Sequence, residues 1–185
     1  NNDTPGVMLS SAAKEYLKVY GVLVGKNPLI FTNNDSGYET AIEFKKNGVE
    51  SIILDTRKNP QSEIVDEAKN LGINIKFSHV VVAAQGYKKV KSADIAKISD
   101  NKEELGVVEN IKCDCICVSG FWTPTIHLAS QSGNKTKFNE DIDAFVPGVS
   151  KQNEKTLGAA NGVYTLDETL KSSFETGYEL SKKIT

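Results

Sequence analysis

Two clusters of residues in this 185-residue chain have the types and the spacing to bind a nucleotide. The first cluster reads Thr32-Asn33-Asn34-Asp35-Ser36-Gly37, between an apolar segment and an amphipathic one. A strand, a tight turn and a helix in this order begin a dinucleotide-binding βαβ unit, in which N–H groups at the helix start face the pyrophosphate. Asn33, Asn34, Ser36 and Gly37 are therefore candidate cofactor-binding residues.

The turn departs from the dinucleotide fingerprint G-x-G-x-x-G, because only the third glycine, Gly37, is present. That glycine permits close packing of helix and strand. Asn34 places a side chain where the second glycine lets the backbone approach a pyrophosphate, and Asp35 adds a negative charge there. Asn, Asp and Ser also cap helices. We interpret the turn as a structural cap, and a working phosphate cradle is the alternative.

Asp55 and Arg57 follow the second apolar segment, Val49 to Leu54. An acid at this place in a βαβ unit binds a ribose hydroxyl, and an arginine nearby accommodates the 2′-phosphate of NADP. Arg57 is the single arginine of the sequence. The two residues are candidate nucleotide contacts, and a solvated strand end is the alternative.

The second cluster reads Gly158-Ala159-Ala160-Asn161-Gly162 and precedes an amphipathic segment from Thr165 to Lys183. Its small residues would let backbone N–H groups reach a phosphate near a helix start. Gly158, Ala159, Asn161 and Gly162 are thus further candidate cofactor-binding residues. Close packing of the turn is an equally good explanation of its composition.

Cys113, Cys115 and Cys117 alternate along a predicted strand, so their thiols should point to one side. They lack a C-x-x-C spacing, and we interpret them as core residues of a protein from a reducing compartment. His127 has no recognisable partner base or nucleophile and is interpreted as a surface or packing residue. The sequence predicts no catalytic residue and no metal site.

Composition is that of a soluble globular protein, with 39% hydrophobic and 25% charged residues. A net charge of −2 gives no basic footprint for nucleic acid or for an anionic membrane. No apolar run approaches the roughly 20 residues of a membrane span, and no signal segment is recognisable, so we expect a cytoplasmic protein. Because the chain begins with Asn1, we expect a segment cut from a longer polypeptide.

The periodicity predicts an α/β, Rossmann-like three-layer domain with a central parallel sheet and a β-meander. Ser10 or Ser11 should cap the first helix, with Gly21 and Gly48 ending the first and second helices. The predicted elements are helices over Ala12–Tyr20, Gln61–Asn70, Thr125–Ser132 and Thr165–Lys183, strands over Leu29–Phe31, Val49–Leu54, Ile73–Phe77, His79–Ala84, Tyr87–Ile98 and Cys113–Val118, an exposed turn over Asp100–Asn110, and a strand-like stretch over Phe138–Pro147.

Five segments in order along the chain resemble the alpha subunit of heterotetrameric sarcosine oxidase. They are Pro5–Ser11, Phe31–Ser36, Val118–Pro124, His127–Gly133 and Ala144–Gly148. The resemblance implies an enzyme that demethylates sarcosine to glycine, producing hydrogen peroxide and, with tetrahydrofolate, 5,10-methylenetetrahydrofolate. It implies the fold of FAD/NAD(P)-binding disulfide-reductase-type domains. It also implies NAD in the alpha subunit, FAD in the beta subunit and FMN at their interface.

The same resemblance implies that this chain is the second nucleotide-binding-type domain of that subunit, over residues 25–150. Residues 1–24 and 151–185 would return to a flanking domain that holds most of the NAD, with Gly158 to Gly162 facing that nucleotide. The partners implied are the rest of the alpha subunit and the other subunits of the heterotetramer. Two alternatives remain: an NAD(P)-binding domain of a related amine or opine dehydrogenase, and a structural insert that docks neighbours through Trp122 and the terminal helices.

Overall fold

The computed structural model describes residues 3–99, 105–142 and 144–184. Chain contacts divide the molecule into two compact units, Asn1–Phe121 and Trp122–Thr185. The predicted boundaries after residues 24 and 150 refer to a longer polypeptide and stay a prediction. No helix within the described ranges has both the length and the apolar composition that a bilayer crossing requires.

The first unit is organised around a five-stranded parallel sheet. In chain order the unit contains β1 (Val7–Leu9), α1 (Ser10–Tyr20), β2 (Pro28–Thr32), α2 (Ser36–Lys46), β3 (Ile52–Asp55), α3 (Glu63–Asn70), β4 (Asn74–Phe77), β5 (His79–Gln85), β6 (Ser92–Ile98), β7 (Leu105–Lys112) and β8 (Cys115–Ser119). The order across the parallel sheet is β1, β8, β2, β3, β4, which places β2 at the centre.

Both faces of the central strand β2 are covered, and this explains its uninterrupted apolar sequence. Ile30 packs among residues of the helices, including Ala41 and Phe44 of α2. Its neighbour Leu29 packs on the opposite face, in a second cluster that includes Ile95 of the meander. The predicted three-layer α/β arrangement is therefore confirmed: helices, parallel sheet, and a small antiparallel sheet.

The antiparallel sheet has the order β5, β6, β7 and confirms the predicted meander. The turn between β5 and β6 requires its glycine, since a Cβ on Gly86 would lie 2.0 Å from the carbonyl oxygen of Lys89. The predicted exposed turn over Asp100–Asn110 is wrong for residues 105–110, which form most of β7. That strand is almost wholly exposed along its length, so its polar composition resembles a loop. Residues 100–104 lie outside the described residues.

Two of the predicted helix ends are confirmed and one predicted cap is wrong. Gly21 follows α1 with φ 63°, and Gly48 follows α2 with φ 76°, conformations that favour glycine. Neither Ser10 nor Ser11 is the cap, because α1 begins at Ser10 and Leu9 precedes it without a side-chain cap bond. The buried Ser10 hydroxyl instead donates to Oγ1 of Thr40 at 2.9 Å, which joins α1 to α2.

The second unit contains α4 (His127–Gln131), β9 (Thr136–Asn139), β10 (Ala144–Pro147), a 3₁₀ helix (Gly158–Asn161) and α5 (Leu166–Ile184). The strand-like stretch predicted over 138–147 is in fact parts of two antiparallel strands. Asn139 ends the first strand and accepts the N–H of Asp141 at 3.0 Å, which shapes the turn. Across the hairpin, Phe138 and Phe145 pack edge to face with ring centroids 5.3 Å apart.

Candidate functional site

The carboxyl ends of β2, β3 and β8 lie side by side in the parallel sheet. The register pairs Thr32 with Asp55 on one side and with Ser119 on the other. In open α/β sheets, ligands bind outside the carboxyl ends of strands whose order in the sheet departs from their order in the chain. The fold thus brings the predicted residues Asn33 to Gly37 and Asp55 to Arg57 together at one sheet edge.

Asn34 closes the turn that follows β2. Its Oδ1 accepts hydrogen bonds from the N–H and the hydroxyl of Ser36, at 3.0 and 2.7 Å. Its Nδ2 donates to the carbonyl oxygen of Gly120 at 2.5 Å and to Oδ1 of Asn33 at 2.9 Å. The side chain therefore caps the first turn of α2 and ties this turn to the end of β8.

Ser36 and Gly37 hold the start of α2 against the strands. The hydroxyl oxygens of Ser36 and Ser119 lie 2.6 Å apart, and the N–H of Asn33 donates to the Ser119 carbonyl at 3.3 Å. A Cβ on Gly37 would lie 2.6 Å from Cβ of Thr32. The expectation that Gly37 permits close packing of helix and strand is therefore confirmed.

Asp55 is completely buried, and both of its carboxylate oxygens accept hydrogen bonds. Oδ1 accepts the Arg57 N–H at 2.8 Å, and Oδ2 accepts the Tyr38 hydroxyl at 2.6 Å. The Arg57 guanidinium donates to Asp55 through Nη2 at 2.8 Å and to Asp35 through Nη1 at 2.8 Å. It also lies 5.9 Å from the centre of the Tyr38 ring. The predicted pair is thus an internal ion-pair network, not a solvated strand end.

The electrostatics of this network keep its donors protonated. Burial, and then the hydrogen bond to Asp55, raise the pKa of the Tyr38 hydroxyl well above its ordinary value. Burial opposes the charge on Arg57, but the hydrogen bonds to Asp55 and Asp35 outweigh it and raise the pKa of the guanidinium. Tyr38 and Arg57 therefore act as permanent hydrogen-bond donors to a carboxylate inside the fold.

An apolar cleft of about 430 Å³ opens at the same sheet edge, on the side of the meander. Among the residues that line it are Phe31, Val80, Ile98, Val118 and Phe121. Polar lining comes mainly from the strand ends, such as Thr32 and Ser119. The cleft has the character of a site for a flat or apolar group.

The second predicted cluster lies in the second unit and forms the 3₁₀ helix before α5. Gly158 and Gly162 have φ of 60° and 80°, so both use the left-handed region. A Cβ on Gly162 would lie 2.6 Å from Cδ1 of Ile142, and one on Gly158 would lie 3.0 Å from Cγ2 of Thr169. Ala159 and Asn161 are exposed. Backbone conformation and close packing account for both glycines without a ligand.

The three cysteines are buried and free, as the core interpretation expected. Their predicted common orientation is wrong for Cys113, which packs on the meander side, whereas Cys115 and Cys117 pack on the helix side with sulfurs 3.7 Å apart. The strand begins only at Cys115, so strand alternation does not extend to Cys113. Burial raises the pKa of the Cys113 thiol to about 11. In the described ranges, no three His, Cys, Asp or Glu side chains are grouped to hold a metal ion.

His127 and Trp122 lie in the second unit. His127 is exposed at the first residue of α4. Trp122 is 55% exposed, and its ring packs against Tyr164 with centroids 5.9 Å apart. The Tyr164 hydroxyl donates to the Trp122 carbonyl at 2.8 Å, which fixes the loop before α4.

Sequence reasoning missed three participants at the sheet edge: Tyr38, Ser119 and Gly120. Tyr38 lies in the amphipathic segment after the first cluster, where its apolar periodicity indicates packing and no chemical role. The Ser119-Gly120 pair could have been found from topology, because it follows a strand predicted to lie in the same parallel sheet. Gly120 lies 86 residues after Asn34 in the sequence, so no local pattern could predict their contact.

Comparison with known proteins places this geometry in a family context. No protein-family model matches the sequence. The alpha subunit of sarcosine oxidase from Corynebacterium sp. (strain P-1) is 30% identical over 179 residues, which are 96% of this chain and 18% of that protein. The alpha subunit from Rhizobium meliloti (strain 1021) is 34% identical over 161 residues, 86% of this chain and 15% of that protein.

The chain is similar to one segment of sarcosine oxidase alpha subunits. This confirms the resemblance that the five sequence segments carry. The matched segment spans less than a fifth of the length of these sarcosine oxidase subunits.

Solved structures confirm the fold class. The flavoprotein disulfide reductase RclA from Escherichia coli superposes with a TM-score of 0.63 at 15% identity, covering 91% of this chain and 37% of that one. Bacillithiol disulfide reductase from Staphylococcus aureus gives 0.58 at 15% identity, covering 95% and 57%. Thioredoxin reductase from T. acidophilum gives 0.57 at 15% identity, covering 84% and 52%. The chain therefore has the fold of a part of these reductases.

Proposed function

We propose that this chain is a scaffold domain of a sarcosine-oxidase-type alpha subunit and that it holds no nucleotide at its own βαβ turn. The observation that carries the proposal is the Asn34 side chain, which bridges the first turn of α2 to the end of β8. This amide fills the space that a pyrophosphate requires at the helix start. The domain then retains the dinucleotide-binding fold without its ligand.

In this proposal the parent complex oxidises sarcosine to glycine, and its NAD, FAD and FMN lie mainly outside the present chain. The partners are the rest of the alpha subunit and the other subunits of the heterotetramer. Three free cysteines support a reducing compartment, the cytoplasm. The 3₁₀ turn Gly158–Asn161 and Gly162 would face the NAD of the flanking domain, and the exposure of Ala159 and Asn161 supports that role.

The outer face of α5 supports a place inside a longer polypeptide. Leu166, Leu170, Phe174 and Tyr178 recur every four residues and are 74%, 61%, 77% and 57% exposed. Four large apolar side chains in one helical row are unusual on a surface that remains in water. We propose that the flanking part of the alpha subunit covers them, because the sarcosine oxidase subunits matched here extend far beyond this segment. Residues 1–24 and 151–185 would both return to that part.

A calorimetric titration of the 185-residue chain with NAD, NADP and ADP-ribose tests the scaffold role. We expect no saturable heat at millimolar ligand, with circular dichroism showing a folded protein. A flavoprotein disulfide reductase that binds NADPH serves as the positive control for the titration. Micromolar binding of any of the three ligands would contradict the proposal.

The apolar cleft beside the turn favours a second candidate function, an NAD(P)-binding domain. Here the adenine would enter the cleft, and the predicted residues Asn33 to Gly37, Asp55 and Arg57 would rearrange around the phosphates and ribose. The same titration decides between the two functions. Under this candidate, binding occurs and is lost in a folded variant with Asp55→Ala and Arg57→Ala.

A further inference from the structure

We propose that Asn34 and Arg57 are internal substitutes for a dinucleotide, one in the place of its pyrophosphate and one in the place of its ribose. The inference rests on the proposed function, in which this turn holds no nucleotide. It goes further by assigning the exclusion to two side chains and by stating that removing them restores a site. The ligand class for the reopened site is an adenosine diphosphate, such as ADP-ribose.

Asn34 takes the place of the pyrophosphate. In a dinucleotide-binding turn, N–H groups at the start of the helix donate to phosphate oxygens. In this chain the N–H of Ser36, the first residue of α2, donates to Oδ1 of Asn34 at 3.0 Å, and the Ser36 hydroxyl donates to the same oxygen at 2.7 Å. Because an amide also carries donors, Nδ2 of Asn34 binds the Gly120 carbonyl at 2.5 Å. One neutral side chain therefore accepts the N–H of the first residue of α2 and also bonds to the neighbouring strand end.

Arg57 takes the place of the ribose. The acid at the end of the second strand of a βαβ unit accepts hydrogen bonds from ribose hydroxyls. Asp55 occupies that position, is completely buried, and accepts from Arg57 through the backbone N–H, Nε and Nη2 at 2.8, 3.1 and 2.8 Å. With the Tyr38 hydroxyl at 2.6 Å on Oδ2, the carboxylate is already supplied with donors. A ribose would have to displace Arg57 to reach it.

The two substitutes are joined through Asp35. This residue lies between Asn34 and Ser36 in the turn, and its Oδ1 accepts Nη1 of Arg57 at 2.8 Å. The ion pair holds the guanidinium over the turn and neutralises a carboxylate that would otherwise repel phosphate. Removal of Asn34 alone should open the phosphate half. Arg57 has to be removed together with Asp35 to open the whole site, because Asp35 without its counter-charge would repel phosphate.

The test is a titration of ADP-ribose into the wild-type chain and into Asn34→Gly and Asn34→Gly/Asp35→Ser/Arg57→Ala variants, the last of which removes the Asp35–Arg57 ion pair without changing the net charge. We expect at least tenfold tighter binding by Asn34→Gly than by the wild type, and a further gain in the triple variant. The matched control is Asn47→Gly, which changes the same residue type at the other end of α2, where Nδ2 bonds to the Glu43 carbonyl. It should bind no tighter than the wild type.

The outcomes separate this inference from the proposed function. Micromolar binding by the wild-type chain would contradict the scaffold role itself. If neither the wild type nor a folded Asn34→Gly variant binds ADP-ribose, the inference is overturned and the scaffold role is unaffected. If the triple variant does not fold by circular dichroism, the single variant alone decides the result.

Discussion

The turn at Thr32–Gly37 follows strand β2 and the turn at Gly158–Gly162 follows an irregular segment. Both precede a helix, and both have the small or polar residues of a phosphate-binding turn. Their structures differ in what fills them. Asn34, Ser36 and Arg57 fill the first turn with side-chain hydrogen bonds. The second turn is held by backbone bonds, with the N–H of Val163 donating to the Gly158 carbonyl at 3.1 Å.

This difference follows from composition, which is mainly polar in the first turn and mainly small in the second. A turn with polar side chains can pair its own backbone N–H groups, and it then has fewer free hydrogen-bond donors for a ligand. A turn of mainly glycine and alanine has no long side chains to cover its backbone, so a neighbouring group can approach it. Here Ala159 and Asn161 are exposed. We therefore expect substitutions in the first turn to act through lost internal bonds and those in the second through backbone strain.

The largest loss of stability should come from Arg57→Ala, which removes the ion pairs with Asp35 and Asp55 at the first turn. Its removal leaves the buried carboxylate of Asp55 without its cation, and breaking a buried pair in this way costs about 3 kcal/mol of unfolding free energy. Urea unfolding followed by circular dichroism measures the loss.

The control for that measurement is Lys46→Ala. Lys46 pairs with Glu67 on the surface, where both side chains are about half exposed, so the loss should stay below about 0.5 kcal/mol. A loss for Arg57→Ala as small as this would show that Asp55 does not need its internal partner, and the contrast between the two turns would fail.

A smaller loss, about 2 kcal/mol, is expected for Gly37→Ala. The added Cβ would lie 2.6 Å from Cβ and 2.7 Å from Oγ1 of Thr32, a short β-branched residue in the central strand that cannot swing away. The same unfolding assay measures it. Gly120→Ala, where a Cβ meets nothing within 4 Å, is the control at the neighbouring strand end. Equal stability of the two variants would show that α2 can shift away from β2.

Patterns local in sequence predicted β2, β3, β4 and β8 of the parallel sheet, β5 and β6 of the meander and the last helix, because apolar periodicity and glycine stops decide these elements over short spans. They did not predict β1, whose Val7 pairs with Ile116, since a three-residue edge strand has no period of its own. The closure of the turn by Gly120 was missed for the same reason: parallel pairing brings together residues that no local pattern connects.

At the site, the residue types were predicted but their partners were not. The acid at the end of β3 was recognised from its place in a βαβ unit, and its contact with the Tyr38 hydroxyl was not predicted. Whether a carboxylate faces a ribose or an arginine depends on the side chain two residues later and on the neighbouring turn. That choice is made by three-dimensional contacts among Asp35, Asp55 and Arg57.

The smallest effect, about 1 kcal/mol, is expected for Gly162→Ala in the second turn. Alanine at φ 80° must enter the left-handed region, and its Cβ would come closest to the end of the Ile142 side chain, which can turn aside. Gly177→Ala in the exposed part of α5 is the control and should raise stability slightly, because alanine favours a helix and meets nothing within 4 Å. Differential scanning calorimetry of both variants measures these shifts. If Gly162→Ala loses as much stability as Gly37→Ala, the second turn is packed as tightly as the first. The proposal that a neighbouring group can approach the second turn would then be wrong.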